Sequence, residues 1–417
     1  MSSLDQSRRA ADRAARESYG RLVALLSSIT RDVASAEDAL AEAFAAALRQ
    51  WPAQGVPHNP EGWLLAVARR RLIDSSRRRG TNERFQDHLK LISEELDAER
   101  ETSREIPDRR VALMFACAHP EIEPSIRTPL ILQTILGFTA EAIAAAFLVP
   151  PATMAQRLVR AKARIKQSGI PFAVPERADL PGRLDAVLQA VYAAYSRDWA
   201  EAAEDTEDRL SDEAIWLGQV TAELIPDQAE VKGLLALMLF LDARRGARSA
   251  ADGSYVPLDE QDTARWNLAQ IRQAEALMKD ANRMEGAGRF QIEAAIQSAH
   301  VARRLHGVDS RPDIVALYDV LFTLVPTPVV ALNRLVARSR ISGADEVLDE
   351  IRQLGADASL IDYQPYWAAR GMLLAEAGRN EEAREALTAA LGLATDEAAR
   401  AFLQRRIARL PGTPGGT

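Results

Sequence analysis

Hydrophobic residues recur every three or four positions along most of the chain, which is the spacing of one face of an α-helix. In the first such region, from about residue 14 to 48, they fall at Leu22, Leu25, Leu26, Ile29, Ala36, Leu40, Ala43, Phe44 and Ala47. A loop rich in proline and glycine is predicted from Trp51 to Gly62, and the next helix from Trp63 to about Arg78. The sequence contains no run of alternating β-branched residues bounded by turns, so the pattern predicts an all-α fold.

A pattern typical of a helix-turn-helix lies further along the chain. Thr139 is suited to cap a helix from Ala140 to Phe147, and the turn follows at residues 148–150. The next helix begins at Pro151 and places one apolar face at Met154, Leu158, Ala161 and Ile165. This helix carries five basic and no acidic residues, an imbalance that is favourable where phosphate supplies the counter-charge. We therefore predict that it binds duplex DNA through Thr153, Gln156, Arg157, Arg160, Lys162 and Arg164.

The helical periodicity and the changes in composition along the chain also predict its domains. Two small helical domains are predicted at residues 10–80 and 107–170, joined by a locally acidic linker at 81–106. A helical C-terminal domain follows at 171–410, and the tail at 411–417 is expected to be disordered. In the C-terminal domain two similar segments begin at Ser342 and Ala377. Their glycines, Gly343 and Gly378, are 35 residues apart, close to the period of tetratricopeptide (TPR) repeats, and each is predicted to lie between two paired helices. An irregular helical bundle remains the alternative, and the polar segment at 242–262 has no assigned role.

Net charge changes this picture once it is divided between the domains. The whole chain carries −7, which argues against a nucleic-acid-binding protein. Residues 1–170 hold 25 basic and 21 acidic side chains, however, whereas residues 171–417 hold 27 basic and 38 acidic. A mildly basic N-terminal part and an acidic C-terminal part indicate different partners.

Two helices of opposite charge stand in the first domain. The helix before the proline-rich loop presents four acids, namely Asp32, Glu37, Asp38 and Glu42. The helix after that loop carries six arginines, at positions 69, 70, 71, 77, 78 and 79. This order predicts two binding surfaces of opposite sign.

These segments resemble one protein family. The stretches RDVASAEDALAEAFAAALRQW and PEGWLLAVARRRLIDSSRRR resemble domain 2 of the extracytoplasmic-function (ECF) sigma factors of the sigma-70 family. The stretch FTAEAIAAAFLVPPATMAQRLVRAKARIK resembles their helix-turn-helix domain 4. The C-terminal half is similar to the TPR-like extension of one subgroup of these factors.

The resemblance implies a bacterial transcription initiation factor that binds core RNA polymerase, recognises the −10 and −35 promoter elements and assists promoter opening. The helix with Asp32, Glu37, Asp38 and Glu42 would bind the clamp helices of the largest polymerase subunit, and the polymerase flap would be a further contact of the protein. The −10 element would be bound by His58, Asn59, Arg69, Arg70, Arg77 and Arg78. The second helix of the helix-turn-helix, with the DNA-binding residues given above, would bind the −35 element.

Two questions about partners stay open at this point. The C-terminal domain would regulate activity either in cis, through an intramolecular contact with the sigma domains, or by binding a protein partner on a TPR-like surface. A DNA-binding regulator with a TPR sensor is the second hypothesis for the whole chain, since it would use the helix-turn-helix without the acidic helix.

Other functional classes find little support in the sequence. The single cysteine, Cys117, forms no disulfide within the chain, and no histidine pair has metal-ligand spacing, so we expect no metal and no cofactor. Neither a phosphate-binding glycine loop nor a nucleophile–base arrangement indicates an enzyme. The longest apolar run is far shorter than a bilayer span and the N-terminus lacks the apolar core of a signal peptide, so a cytoplasmic protein without membrane contact is expected.

Overall fold

The computed structural model of the protein describes residues 3–78, 109–147, 149–200, 210–284 and 286–411. Within these residues the regular secondary structure is helical, apart from one isolated bridge between Ser249 and Tyr255, which confirms the predicted all-α fold. The predicted linker at 81–106, Leu148 of the predicted turn and most of the predicted disordered tail lie outside the described residues. The chain divides into two compact units, residues 1–197 with 206–217 and residues 198–205 with 218–417.

The described residues of the first unit hold seven complete helices, most of an eighth and the first half of a ninth. In chain order they are α1 (Ser3–Thr30), α2 (Val33–Gln54), α3 (Pro60–Arg78), α4 (Arg110–Cys117), α5 (Pro124–Thr134), α6 (Ala140–Ala146), α7 (Pro151–Gln167), α8 (Pro181–Ala200) and α9 (Leu210–Leu224). Helices α1, α2 and α3 pack against one another, and α4 to α7 form a second packed group.

Polar side chains at the helix starts explain where the helices of the first unit begin. Arg31 adopts a left-handed conformation after α1, and the Asp32 carboxylate then accepts a hydrogen bond from the Ser35 N–H to cap α2. Asn59 accepts a bond from the Gly62 N–H in the same way at the start of α3. The predicted cap at Thr139 is confirmed, because its hydroxyl accepts the Ala142 N–H.

The proline-rich loop is shorter than predicted. Helix α2 continues through Pro52 to Gln54, and α3 begins at Pro60, which leaves only residues 55–59 between the two helices. The last turn of α2 is held by Trp51, which is buried and packs edge-to-face on Trp63 at 5.5 Å between ring centroids. This tertiary contact outweighs the local tendency of Pro52 to end a helix.

The second unit continues with α10 (Ala229–Asp242), α11 (Leu268–Ala281), α12 (Arg289–His306), α13 (Arg311–Leu324), α14 (Pro328–Ser342), α15 (Asp345–Leu354), α16 (Gln364–Glu376), α17 (Asn380–Leu393) and α18 (Glu397–Ala408). Most neighbours along the chain pack as pairs, and buried side chains of α14 to α17 share one core. Gly343 lies between α14 and α15 and Gly378 between α16 and α17, both at positive φ, so the predicted position of these glycines between paired helices is confirmed.

The polar segment between α10 and α11 is ordered by short turns. Three 3₁₀ turns, Arg245–Ala247, Leu258–Glu260 and Thr263–Arg265, replace a continuous helix there. The Asn267 N–H donates to the Ala243 carbonyl at 2.8 Å, so the two ends of the segment lie close together. The segment is therefore a compact excursion from the helical array.

Candidate polymerase-binding and DNA-binding surfaces

The acidic face of α2 separates into a covered pair and an exposed pair. Asp32 and Glu37 retain only 10% and 17% of their side-chain exposure, whereas Asp38 and Glu42 lie at the surface. Glu42 forms an ion pair of 3.2 Å with Arg71 of α3. Only part of the predicted polymerase-binding set is thus open to solvent in this arrangement.

Helix α7 also divides, this time along its length. Its apolar face at Met154, Leu158, Ala161 and Ile165 is buried as predicted. Towards its N-terminus Thr153, Gln156 and Arg160 are exposed and Arg157 is half-buried, whereas near its C-terminus Arg164 pairs with Glu121. The first half of the helix therefore keeps the free polar surface that the sequence predicts for a DNA-binding helix.

The predicted exposure of Lys162 is wrong. Its side chain is 10% exposed, and its ammonium lies 2.6 Å from the Glu37 carboxylate. One turn further on, Lys166 lies 2.7 Å from Asp32. A residue expected to bind DNA is thus bonded to a residue expected to bind polymerase, and α7 lies across α2. The partners are more than 100 residues apart in the sequence, which is why helical periodicity could not reveal the contact.

The two covered carboxylates respond differently to this contact. Burial alone would raise the pKa of Asp32, but hydrogen bonds from Lys166 and Ser35 outweigh it and hold that pKa below its usual value. Burial dominates at Glu37 and raises its pKa despite Lys162. One Glu37 oxygen, Oε1, is buried without a hydrogen-bond partner among the described residues. Glu37 is therefore held at an electrostatic cost, whereas Asp32 is stabilised.

A close backbone approach accompanies these ion pairs. Gly20 of α1 lies directly against the backbone carbonyl of Ile135, which follows α5, so a Cβ atom at Gly20 would overlap that carbonyl. The neighbouring Tyr19 ring lies over Gly137. Burial, assisted by the charge of Glu37, raises the pKa of the Tyr19 phenol above its usual range. Shape and charge therefore both hold the α1–α3 group against the α4–α7 group.

The short loop between α2 and α3 borders a cavity of about 400 Å³. The exposed His58 and Asn59, predicted to bind the −10 element, line it together with Arg13, Ser18, Arg21 and Glu61. Arg21 and Glu61 form an ion pair of 2.5 Å, yet Arg21 Nε and Glu61 Oε1 are both buried without a partner among the described residues. The predicted residues thus share this cavity with a charged pair whose unpaired donor and unpaired acceptor are both closed to solvent.

Sequence reasoning missed the contribution of α1 to this cavity. Arg13, Ser18 and Arg21 come from α1, whose apolar spacing predicts a helix but gives no sign that its polar side chains contribute to this site. Of the predicted −10 arginines on α3, Arg70 is exposed and Arg69 is half-buried. The side chains of Arg77 and Arg78 lie outside the described residues.

Helices α8 and α9 attach to the same unit. Arg127 of α5 donates to the Gly182 carbonyl at 3.1 Å, and the Thr128 hydroxyl donates to the Ala186 carbonyl at 3.4 Å. Arg110 of α4 is almost fully buried, pairs with Glu213 and stacks on the Trp216 ring at 4.3 Å. The compact unit therefore extends past residue 170, where the sequence predicts a domain boundary, to residue 217.

Other kinds of site find no support in the described part of the chain. No group of three or more His, Cys, Asp or Glu side chains is arranged there to hold a metal ion. Cys117 is fully buried beside the Thr134 hydroxyl at 3.6 Å, and burial raises the pKa of its thiol to about 12, which suits a packing role. No single described helix is long and apolar enough to cross a membrane; α6 and α7 meet that requirement only together, as a pair bent by 111°.

Comparison with known proteins identifies the N-terminal part of the chain. Residues 15–81 match the sigma-70 region 2 family, and residues 183–282 match a family of unknown function, DUF6596. Over 391 residues, 92% of each chain, the sequence is 35% identical to uncharacterized protein R00370 of Rhizobium meliloti (strain 1021). No solved structure matches.

The region 2 match covers the second part of α1 and all of α2 and α3, which carry the acidic surface, the loop and the basic helix described above. Region 2 implies binding to core RNA polymerase and to promoter DNA. The chain therefore belongs to the same family as protein R00370, and its N-terminal sigma-70 region 2 supports a role as a sigma factor in transcription initiation.

Proposed function

We propose that this protein is an ECF-type sigma factor in which α2 binds the clamp helices of core polymerase, the α2–α3 loop with α3 binds the −10 element, and α7 binds the −35 element. The observation that carries the proposal is the separation of charge in the first unit. Exposed acids lie on α2, and exposed or half-buried polar and basic residues lie on the first half of α7. A DNA-binding regulator would have no use for the acidic face of α2.

At the polymerase surface, Asp38 and Glu42 are accessible without rearrangement, whereas Asp32 and Glu37 are bonded to Lys166 and Lys162. Basic side chains of the polymerase would replace these lysines on the two carboxylates. Release of Glu37 removes an electrostatic cost, because this carboxylate is buried with one oxygen unpaired and its pKa is raised. The described arrangement is in this view a closed resting form that core binding opens.

At the −10 element, the 400 Å³ cavity is large enough for a base turned out of the duplex. Such a base leaves its hydrogen-bonding edge unpaired, which costs a few kcal/mol unless a pocket supplies partners. A base bound beside His58 and Asn59 would have to separate Arg21 from Glu61 to reach Arg21 Nε and Glu61 Oε1. Both atoms are buried in the free protein and have no partner among the described residues. Asn59 Oδ1 is already used to cap α3, so its amide nitrogen is the group left for the base.

At the −35 element, the free half of α7 would enter the major groove with Thr153, Gln156, Arg157 and Arg160 towards the bases and phosphates. Lys162 joins this set only after it leaves Glu37, and Arg164 only after it leaves Glu121. The flap of the polymerase would hold this domain at the correct spacing.

For the C-terminal extension we favour regulation in cis. Helix α8 is bonded to α5 through Arg127 and Thr128, and Glu213 of α9 is bonded to Arg110 of α4. Movement of residues 181–217 would therefore act directly on the helices that support α7. A protein partner bound to the predicted TPR-like helices, with the protein in the cytoplasm, would be the source of such a movement.

Run-off transcription with core polymerase tests the proposal. We expect promoter-specific transcripts from the full chain, and loss of about 1–3 kcal/mol of −35 recognition in Arg157→Ala if Arg157 contacts bases. The matched control is Arg352→Ala, which removes an exposed arginine of α15. Duplex binding without core binding or transcripts would instead support the DNA-binding regulator.

A further inference from the structure

The segment at residues 249–262, SAADGSYVPLDEQD, lies on the second unit like a bound acidic peptide. Three of its acids each meet an arginine from a helix far along the chain. Asp252 lies 2.8 Å from Arg405, and Glu260 pairs with Arg406, both on α18; Asp259 pairs with Arg303 of α12. The acids of one short segment are thus matched individually by arginines that the fold gathers from two helices.

The backbone and one aromatic ring of the segment are also held. The Tyr255 N–H donates to the Ala398 carbonyl at 3.4 Å, and its ring packs edge-to-face on Phe402 at 5.6 Å between centroids. The Gln261 carbonyl accepts a bond of 2.6 Å from Arg304. Main-chain bonds, one aromatic anchor and charge pairs are the contacts by which extended peptides dock on proteins.

The helices around the segment carry more arginines than the acids of the segment pair with. Burial tends to raise the pKa of Asp259, but the hydrogen bond and the charge of Arg303 outweigh it and lower that pKa. The charge of Arg340 on α14 adds to this lowering, although Arg340 itself pairs with Glu376 at 2.9 Å. A cavity of about 190 Å³ remains beside the segment, lined by Arg405, Arg406 and Arg409 with Tyr255 and Phe402. Arg409 is exposed and makes no ion pair within the described part of the chain. Positive charge and open space therefore remain next to the bound segment.

The three ion pairs that hold the segment are open to solvent and can be replaced by other charges. The side chains of Asp252, Asp259 and Glu260 keep 62%, 52% and 53% of their exposure, so water and salt reach every one of the three pairs. Exposed ion pairs contribute little net stability, because hydration of the separated charges competes with the contact. An acidic chain that supplied more charges to the same arginines would compete effectively.

We infer that the surface formed by Arg303, Arg304, Arg405, Arg406 and Arg409 is a docking surface for an acidic peptide of a partner protein. Residues 249–262 are its resident occupant in the free protein, and the partner displaces them. The inference names the chemistry of the partner that the proposed function leaves unspecified. It rests on contacts of the second unit alone, and its test does not depend on polymerase or promoter DNA.

The experiment uses the full chain and a fluorescein-labelled peptide of sequence SAADGSYVPLDEQD, followed by fluorescence anisotropy. In the variant Asp252→Asn/Asp259→Asn/Glu260→Gln the resident segment loses the three charges that pair with arginines, and we expect the peptide to bind at least about tenfold more tightly than to the unmodified chain. Adding Arg405→Glu and Arg406→Glu should abolish that binding. Arg352→Glu, a charge reversal on the exposed surface of α15, is the matched control and should leave it unchanged.

A second measurement holds even if the triple variant folds poorly. In the otherwise unmodified chain, Arg406→Glu should raise amide hydrogen exchange of residues 249–262 by about tenfold or more while α18 stays protected. Absence of peptide binding to the folded triple variant, or unchanged exchange in Arg406→Glu, would overturn the inference. Binding of a single-stranded oligonucleotide in preference to the peptide would overturn it in favour of a nucleic-acid surface.

Discussion

Two acidic stretches in this molecule are each bound to a basic helix, but the contacts differ in burial. Asp32 and Glu37 meet lysines of α7 in a covered interface of the first unit, whereas the acids of residues 249–262 meet arginines of α12 and α18 in contact with water. Removing one partner of a covered ion pair leaves the other charge buried and strongly lowers the free energy of unfolding. An exposed ion pair contributes little to that free energy, because water solvates either charge when its partner is absent. The first contact therefore suits a two-state switch, and the second suits exchange of one ligand for another.

The backbone is closely packed at the first of these two contacts and open to solvent at the second. Gly20 brings α1 onto the Ile135 carbonyl in the first unit, where no side chain fits. In the acidic segment of the second unit, Gly253 adopts a positive φ of 78° with open space around it. One contact is fixed by shape, and the other depends on a short turn and on charge.

The largest effect should come from breaking the close backbone approach. We expect Gly20→Leu to lower the free energy of unfolding of the first unit by about 3 kcal/mol, because the added side chain overlaps a backbone carbonyl that cannot move aside. Urea unfolding followed by tryptophan fluorescence measures the loss. Gly182→Leu, at a helical position with open space, is the control and should change little. Equal effects of the two substitutions would contradict a shape-fixed interface.

Acid should weaken the second unit through His300 rather than through its ion pairs. Burial, followed by the charges of Arg303 and Arg244, lowers the pKa of His300 from 6.5 to about 4. The unfolded chain then binds more protons than the folded chain between these two pH values, so stability falls as pH decreases from 6.5 to 4, by up to about 3 kcal/mol. Unfolding measured across this range should show that slope, and His300→Gln should flatten it. A slope that survives the substitution would assign it to other groups.

At the covered ion pair, the two partners should behave unequally. Lys162→Met leaves Glu37 buried and unpaired, and we expect a loss of about 1–3 kcal/mol in the free energy of unfolding at pH 7. Glu37→Gln should cost far less, because this carboxylate is already unfavourable where it lies. The double variant should recover most of the loss in Lys162→Met, so a double-mutant cycle by urea unfolding gives clear non-additivity. Additive losses would show that the two side chains do not interact.

The smallest effect is expected at the exposed pairs. Arg406→Gln should change the free energy of unfolding of the second unit by less than about 0.5 kcal/mol, because Glu260 remains hydrated without it. The same urea measurement at low and at high salt should give nearly equal values for this variant. A loss in the free energy of unfolding as large as that of Lys162→Met would mean that the segment stabilises the fold and is not displaced by a partner.

Local patterns predicted the helices well, because their apolar faces and caps are set by neighbours in sequence. Thr139 caps α6, and Met154, Leu158 and Ile165 are buried, as their spacing indicates. Whether a charged side chain is buried depends on contacts with residues that are distant in sequence, which local patterns do not show. Lys162 fits a solvated basic face by periodicity, and only its distant partner Glu37 makes it a buried residue.

The cavity beside the α2–α3 loop shows the same limit. His58 and Asn59 were identified from the loop itself, whereas Arg21 lines the same cavity from α1 and pairs with Glu61, 40 residues further on. The extent of the first unit to residue 217 likewise depends on the pairing of Arg110 with Glu213, 103 residues further on. Sequence spacing carries no information about such pairs.

Equilibrium binding of the labelled full chain to core RNA polymerase tests most directly whether α2 is the polymerase-binding surface. Asp38 is exposed in the closed form, so Asp38→Arg tests the surface without disturbing the covered pair. We expect Asp38→Arg to weaken binding by at least about tenfold, or about 1.4 kcal/mol. Glu385→Arg, an equivalent charge reversal on the exposed surface of α17, should leave the affinity unchanged. Equal affinity of the unmodified chain and Asp38→Arg would contradict the assignment of α2 to the polymerase.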